Sequence, residues 1–237
     1  MPATPISTVP NVFSLTRSLI QPQTPSVWIA DAGRDGHRAR RLASAVLHED
    51  ELNRAAAFRR EEDRLTYLLA HLALRQLLAS ATGRAPQALR LVRDPCPRCG
   101  GPHGRPTLDD GAVHFSLSHS SPMVLLALSP TPVGADIERL PAPETVAELT
   151  RMLHPREVSE LEALDVDARP RAFARVWTRK EAYLKGLGTG IAGDLSKDCL
   201  GTGAHPAQAP DGWSITDVTA PDGFAAAVAT AKRKSKD

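Results

Sequence analysis

The chain reads as an α+β protein built from two similar halves. Three observations carry that reading: an apolar-striped helical stretch at 63–79, a second strong helix at 171–186, and short β-type runs after each of them. Helices followed by antiparallel strands are the α+β order. The halves share element order rather than visible identity, so the order alone suggests an internal pseudo-repeat.

The elements follow in sequence. Residues 1–25 are rich in Pro, Ser and Thr without periodicity, and read as a disordered N-terminal segment. Residues 26–30 (Ser-Val-Trp-Ile-Ala) look like a first strand. Composition turns helical over 37–81, where Leu65, Leu68, Leu69, Leu72, Leu77 and Leu78 form a stripe and Gly83 offers a stop. A short strand at 89–92 precedes a Cys/Gly/Pro loop reaching Pro106. Residues 113–118, 123–128 and 133–138 read as strands. Helical pattern returns over 146–164 and 171–186, and strands close the chain at 213–218 and 224–230. The resulting division is 26–130 for the N-terminal half, 131–230 for the C-terminal half and 231–237 for a basic tail.

Composition bounds the function. A chain of 237 residues with 42% hydrophobic content can bury a core. It has no apolar run of membrane-spanning length and no basic-then-apolar secretory start, so a cytoplasmic protein with no membrane partner is expected. Three cysteines argue against a disulfide framework. Net charge is only +2, and aromatics make up 4%, which counts against a nucleic-acid binder. All six lysines lie at or after Lys180, and Lys232, Lys234 and Lys236 fall in the tail, read as a solvated end.

Two stretches carry chemistry. In the strand 134–138 (Gly-Ala-Asp-Ile-Glu), Asp136 and Glu138 share a face. Two neighbouring carboxylates repel unless a cation lies between them. In the helix 177–185 (Trp-Thr-Arg-Lys-Glu-Ala-Tyr-Leu-Lys), Trp177, Glu181 and Lys185 line one face, and the glycine-rich exit 186–190 stops the helix. Three carboxylates beside lysines suit Mg²⁺ on a diphosphate, because Mg²⁺ takes a few hard oxygens and borrows the rest from substrate. On that pairing, the chain is a transferase acting on a diphosphate ester.

The set 134–138, followed 42 residues after Glu138 by Lys180 within Trp177-x-x-Lys-Glu-Ala-x-x-Lys185, resembles the signature of the 4′-phosphopantetheinyl transferases. Upstream, Gly104-Arg-Pro106 and the 115–120 run (Phe-Ser-Leu-Ser-His-Ser) resemble the surfactin-type, double-length branch. The resemblance implies two α+β halves related by a pseudo-two-fold, each with a small antiparallel sheet and a long helix, and a site in the cleft between them. It implies transfer of the phosphopantetheine arm of coenzyme A to a serine of acyl or peptidyl carrier proteins, as a monomer, in polyketide or non-ribosomal peptide synthesis. Asp136, Glu138 and Glu181 would bind Mg²⁺, with Mn²⁺ as a substitute, and Glu181 would also serve as base. Lys180 and Lys185 would face the diphosphate. Arg105, standing for the family's usual lysine, would hold coenzyme A phosphate, together with Ser118, His119 and some of Arg54, Arg59 and Arg60. Thr66 stands where relatives often carry arginine. A non-catalytic coenzyme A or carrier-binding module is the alternative.

Finally, Cys96-Pro-Arg-Cys-Gly-Gly-Pro-His103 has the look of half a zinc site. Cys96, Cys99 and His103 supply three ligands, Cys199 and His114 are remote candidates for a fourth, and a tight turn holding two free thiols is the equal alternative.

Overall fold

A computed structural model describes residues 13–18, 25–190 and 193–233. Strand β1 (Thr16–Ser18) leads to β2 (Ser26–Asp31) and three helices, α1 (Ala32–Val46), α2 (Glu49–Ala56) and α3 (Glu61–Thr82). A small ribbon of β3 (Leu91–Arg93) and β4 (Pro106–Leu108) precedes β5 (His114–Ser120) and β6 (Met123–Ser129). The second half repeats the plan: β7 (Val133–Arg139), then α4 (Pro143–Leu149), α5 (Pro155–Glu162), α6 (Arg169–Leu187), then β8 (Trp213–Asp217) and β9 (Phe224–Ala231). All pairings are antiparallel, in sheets ordered β1-β2-β6-β5 and β7-β9-β8. Strand β6 lies between β2 and β5, as β9 lies between β7 and β8. The mixed α+β class expected from sequence is therefore the one observed.

Of the segment 1–25, residues 13–18 and 25 are described, and there Phe13 is buried and Thr16 pairs with Ile29 across β2; residues 1–12 and 19–24 lie outside the described residues. Two readings are corrected. The helical stretch begins at Ala32 rather than near 37. Asp31 caps it by accepting from the Gly33 N–H, and Gly36 sits where a methyl would come 2.9 Å from Leu65 Cβ, so glycine here permits close packing of α1 on α3. The stretch 146–164 is two helices because His154 caps a new one with Pro155 in its first turn. The tail beyond Arg233 lies outside the described residues.

The layers explain the sequence patterns. One face of the first sheet packs Trp28, Ala30, Val124 and Leu126 against α1 and α3. Its other face packs Val27, Leu125 and Ala127 against Val133, Ala135 and Ile137 of the second sheet. Strand β6 is thus buried throughout, and its sequence is correspondingly apolar from Met123 to Leu128. The second sheet turns Ala227, Ala229 and Ile215 toward Ala182 on α6. No helix among the described residues is long and apolar enough to cross a membrane.

The two sheets meet at β5 and β7, an edge strand of each. Serine side chains, not a backbone ladder, join them. The Ala135 N–H donates to Ser116 Oγ at 2.9 Å, and the Arg139 N–H donates to Ser120 Oγ at 3.2 Å. An unpaired edge leaves backbone donors to satisfy. Serines at alternate positions of β5 satisfy two of them and place Ser118, between them, at the seam.

Candidate active site

Side chains alternate along β7, so Val133, Ala135 and Ile137 enter the core while Gly134, Asp136 and Glu138 face α6. Gly134 sets how close the helix comes. A methyl there would lie 1.9 Å from the Ala182 carbonyl oxygen and 2.3 Å from the Gly186 nitrogen. Gly186 is equally tight, since a methyl on it would meet the Trp213 ring at 2.6 Å. The helix therefore lies directly on the strand, and Glu181 and Lys185, one turn apart, are carried to Asp136. Helix α6 then stops: Gly188, at φ +86°, donates to the Leu184 and Lys185 carbonyls.

Asp136 is the centre of the group. Its Oδ1 accepts from the Lys185 ammonium at 2.5 Å and from the Ser118 hydroxyl at 2.8 Å, and Lys185 also donates to Ser118 Oγ at 3.0 Å. Its Oδ2 is buried and has no protein partner. Such an orphaned acceptor costs about 1–3 kcal/mol. Burial, and then the charge of Asp136, push the Glu138 carboxyl up to about 7, against the smaller pulls of a Ser120 hydrogen bond and of Lys185. Burial and Asp136 likewise raise Glu181. Three carboxylates thus share one ammonium, and two of them hold protons longer than usual. A hard divalent cation relieves this crowding and fills the open lone pairs of Asp136, and an all-oxygen donor set suits Mg²⁺ or Mn²⁺. The donor chemistry suits such a cation, but among the described residues the three carboxylates do not bring their oxygens within 4.8 Å of one another, as Cys96, Cys99 and His103 do their ligand atoms.

The remaining site candidates divide. Arg105 is brought in: it ion-pairs with Asp94 Oδ2 at 3.0 Å and donates to the Gly186 carbonyl at 3.1 Å, next to Lys185. Together with Lys185, Gly188 and His103 it lines a cavity of about 220 Å³. Ser118 and His119 are neighbours in sequence but point to opposite faces of β5. Ser118 joins Asp136, whereas His119 lies among the charges of His71, Lys185, Asp63 and Arg54. Crowding by neighbouring atoms, then the positive charges of His71 and Lys185, lower its pKa. Arg54 is exposed, and its charge acts on His119 more weakly than those of His71 and Lys185. Arg59 and Arg60 are exposed, and Arg60 pairs with Glu62 at 3.7 Å. Thr66 is fully buried, donating to the Glu62 carbonyl and contacting Ser121 Oγ.

Lys180 is not brought to this group. Its buried ammonium ion-pairs with Glu157 Oε2 at 2.8 Å and donates to the carbonyls of Leu195 and Asp198. Glu157, itself fully buried, accepts from the Leu200 and Gly201 N–H groups. The signal was in the spacing: five residues turn a helix by about 140° beyond one revolution, so Lys180 and Lys185 cannot share a face. Trp177 also leaves the Glu181 face for the apolar cluster around α4 and α5, stacking on Phe173. Asp94, Ser116 and Ser120 are supporting residues that the motifs did not single out.

In the cysteine loop, ligand atoms of Cys96, Cys99 and His103 all lie within 4.8 Å of one another. Cys199 and His114 are outside that group.

Comparison with known proteins bears on these sites. The sequence profile of the 4′-phosphopantetheinyl transferase superfamily matches residues 132–214, from β7 to the start of β8. The chain is 33% identical over 196 residues to the 4′-phosphopantetheinyl transferase HetI of Nostoc, covering 79% of this chain and 80% of HetI. It is 33% identical over 181 residues to a proposed 4′-phosphopantetheinyl transferase of Synechocystis, covering 73% of this chain and 68% of that protein. A 4′-phosphopantetheinyl transferase of Bacillus subtilis is 29% identical over 149 residues, 62% of this chain and 63% of its own. The chain therefore belongs to the 4′-phosphopantetheinyl transferase superfamily.

Proposed function

We propose that this enzyme transfers the 4′-phosphopantetheine arm of coenzyme A to a serine of apo carrier proteins in a Mg²⁺-dependent reaction. One observation carries the reading: a buried aspartate, tied on one oxygen to Lys185 and Ser118 and open on the other, between two carboxylates of raised pKa. Asp136, Glu138 and Glu181 would hold the cation. Once bound, Mg²⁺ supplies charge neutralisation at the diphosphate.

The chain's own groups do the rest. The carrier serine oxygen attacks the β-phosphorus, the bond from that phosphorus to the bridging oxygen breaks, and adenosine 3′,5′-bisphosphate leaves. Glu181 accepts the serine proton. Lys185 stabilises charge growing on the leaving phosphate, held ready by Ser118. Arg105, His119 and Arg54 bind the nucleotide phosphates from the first half. Arg105 is suited to this by its planar fork and its fixed position on Gly186. Lys180 acts at a distance, by anchoring the loop that packs on α6.

The matching strand order of the halves supports a pseudo-two-fold, with the site at the β5–β7 seam between them. A monomer serving polyketide or non-ribosomal peptide carriers completes the reading. The test is to incubate the protein with coenzyme A, Mg²⁺ and a panel of apo acyl and peptidyl carrier proteins and to weigh the carriers by mass spectrometry. Addition of one phosphopantetheine to a carrier supports the proposal; unmodified carriers throughout the panel refute it.

A further inference from the structure

The cysteine loop has no part in the chemistry above, yet it is shaped with care. Cys96 is buried, Cys99 is exposed, and Cys99 Sγ lies 3.0 Å from His103 Nε2. The turn is closed by the Gly100 N–H donating to the Cys96 carbonyl at 2.8 Å and the Cys96 N–H donating to the Gly101 carbonyl at 2.7 Å. Gly100 takes φ +72°, which favours glycine. Gly101 has a different reason. A methyl on it would lie 3.0 Å from His103 Cδ2 and 3.3 Å from Cys99 Sγ, so its hydrogen keeps the space between the ligands clear.

The loop also touches the proposed site. Gly104 donates to the Asp94 carbonyl at 3.0 Å, and a methyl on Gly104 would strike that oxygen at 2.3 Å, so the strands of the loop are pressed together. Arg105 follows directly and reaches Gly186 on α6. Pro97 lies beside Gly188, the cap of the same helix. Whatever fixes the Cys96–His103 turn fixes Arg105.

We propose that Cys96, Cys99 and His103 bind one Zn²⁺ ion, which locks the loop that presents Arg105 to the coenzyme A cleft. Two thiolates and a neutral imidazole suit zinc in charge and softness. Two thiol protons leave to solvent as the ion binds. Among the described residues no fourth His, Cys, Asp or Glu joins the group, so water completes the tetrahedron. The ion would hold the loop, with three protein ligands and its fourth position open to solvent. The consequence for coenzyme A rests on the function proposed above, whereas the metal site does not.

The experiment therefore reads metal first. Full-length protein, purified without chelator, is analysed for bound metal and reconstituted with Co²⁺ for its visible spectrum. About one zinc per chain and the intense absorption of tetrahedral thiolate-bound cobalt are expected, with both lost in Cys99→Ser and His103→Gln. Cys99 is exposed, so Cys99→Ser should fold, and circular dichroism checks this. Zinc below about one-tenth equivalent, with no proton release on zinc titration, overturns the site; so does a Cys96–Cys99 disulfide in the purified protein, or undiminished zinc in both variants. For the loop, the KM for coenzyme A should rise about tenfold in Cys99→Ser at little change in kcat. Metal lost with KM unchanged overturns the link to Arg105 while leaving the site. Absence of transferase activity in every form, with zinc bound, would count against the function and not against the zinc.

Discussion

Lys185 and Asp136 form a contact that is complete on one side only: the ammonium lies 2.5 Å from Oδ1, while Oδ2, equally buried, meets no protein donor. A purely structural ion pair would satisfy both oxygens. The open oxygen, beside two more carboxylates, is the observation on which the proposed ligand role of Asp136 rests. Removing its charge by Asp136→Asn should cut carrier labelling at least ~100-fold while leaving thermal stability equal or higher, because like-charge crowding is relieved. Glu181→Gln should lose labelling on the same scale through loss of the base. Steady labelling rates with either variant would remove these residues from the site.

Gly134 makes a sharper packing prediction. Its hydrogen occupies the place where a methyl would press within 1.9 Å of the Ala182 oxygen. Gly134→Ala must lift α6 from β7 and should cost upwards of ~2 kcal/mol, with labelling lost as Asp136 and Lys185 separate. Gly203→Ala, whose methyl meets nothing nearer than 3.9 Å, is the control and should stay within about 0.5 kcal/mol of the parent in urea denaturation.

Lys180 should behave as a structural cation. Lys180→Met leaves Glu157 buried and unpaired and should cost about 3–5 kcal/mol. The double change Lys180→Met with Glu157→Leu should recover part of that loss. Where the single variant still folds, its KM for coenzyme A should match the parent; a large rise in KM would instead give Lys180 a phosphate contact.

Glu51 governs acid stability. Burial raises its pKa, but hydrogen bonds with His71 and Arg75 outweigh burial and hold the carboxyl at about 2 rather than 4.5. The folded value is depressed, so the stabilisation is full above pH 4.5 and is lost as pH falls through 2. Allowing for solvent on its open side, the network contributes about 1–3 kcal/mol at neutral pH by tying α2 to α3. Glu51→Gln should lower the denaturation midpoint at pH 7 and flatten the acid limb between pH 4.5 and 2.

Much of this was legible in sequence because local pattern and tertiary role agree. Alternation placed Asp136 and Glu138 on one face, and helix spacing placed Glu181 with Lys185. Alternation over 113–118 announced a strand, but only the fold shows Ser116 and Ser120 replacing a ladder at the seam. Motif membership misled for Lys180, whose place on the helix circumference turns it to Glu157. Gly134 belonged to the motif without a visible reason, since the reason is the approach of a helix 48 residues away at Ala182.

The most direct test of the central claim is a Mg²⁺ titration of carrier labelling, read by mass spectrometry, in the parent protein and in Asp136→Asn. The account predicts no labelling in the parent without divalent cation, saturation as Mg²⁺ is added, and a loss in Asp136→Asn of at least ~100-fold at every concentration. Equal labelling of the two proteins, or labelling of the parent indifferent to Mg²⁺, would contradict it.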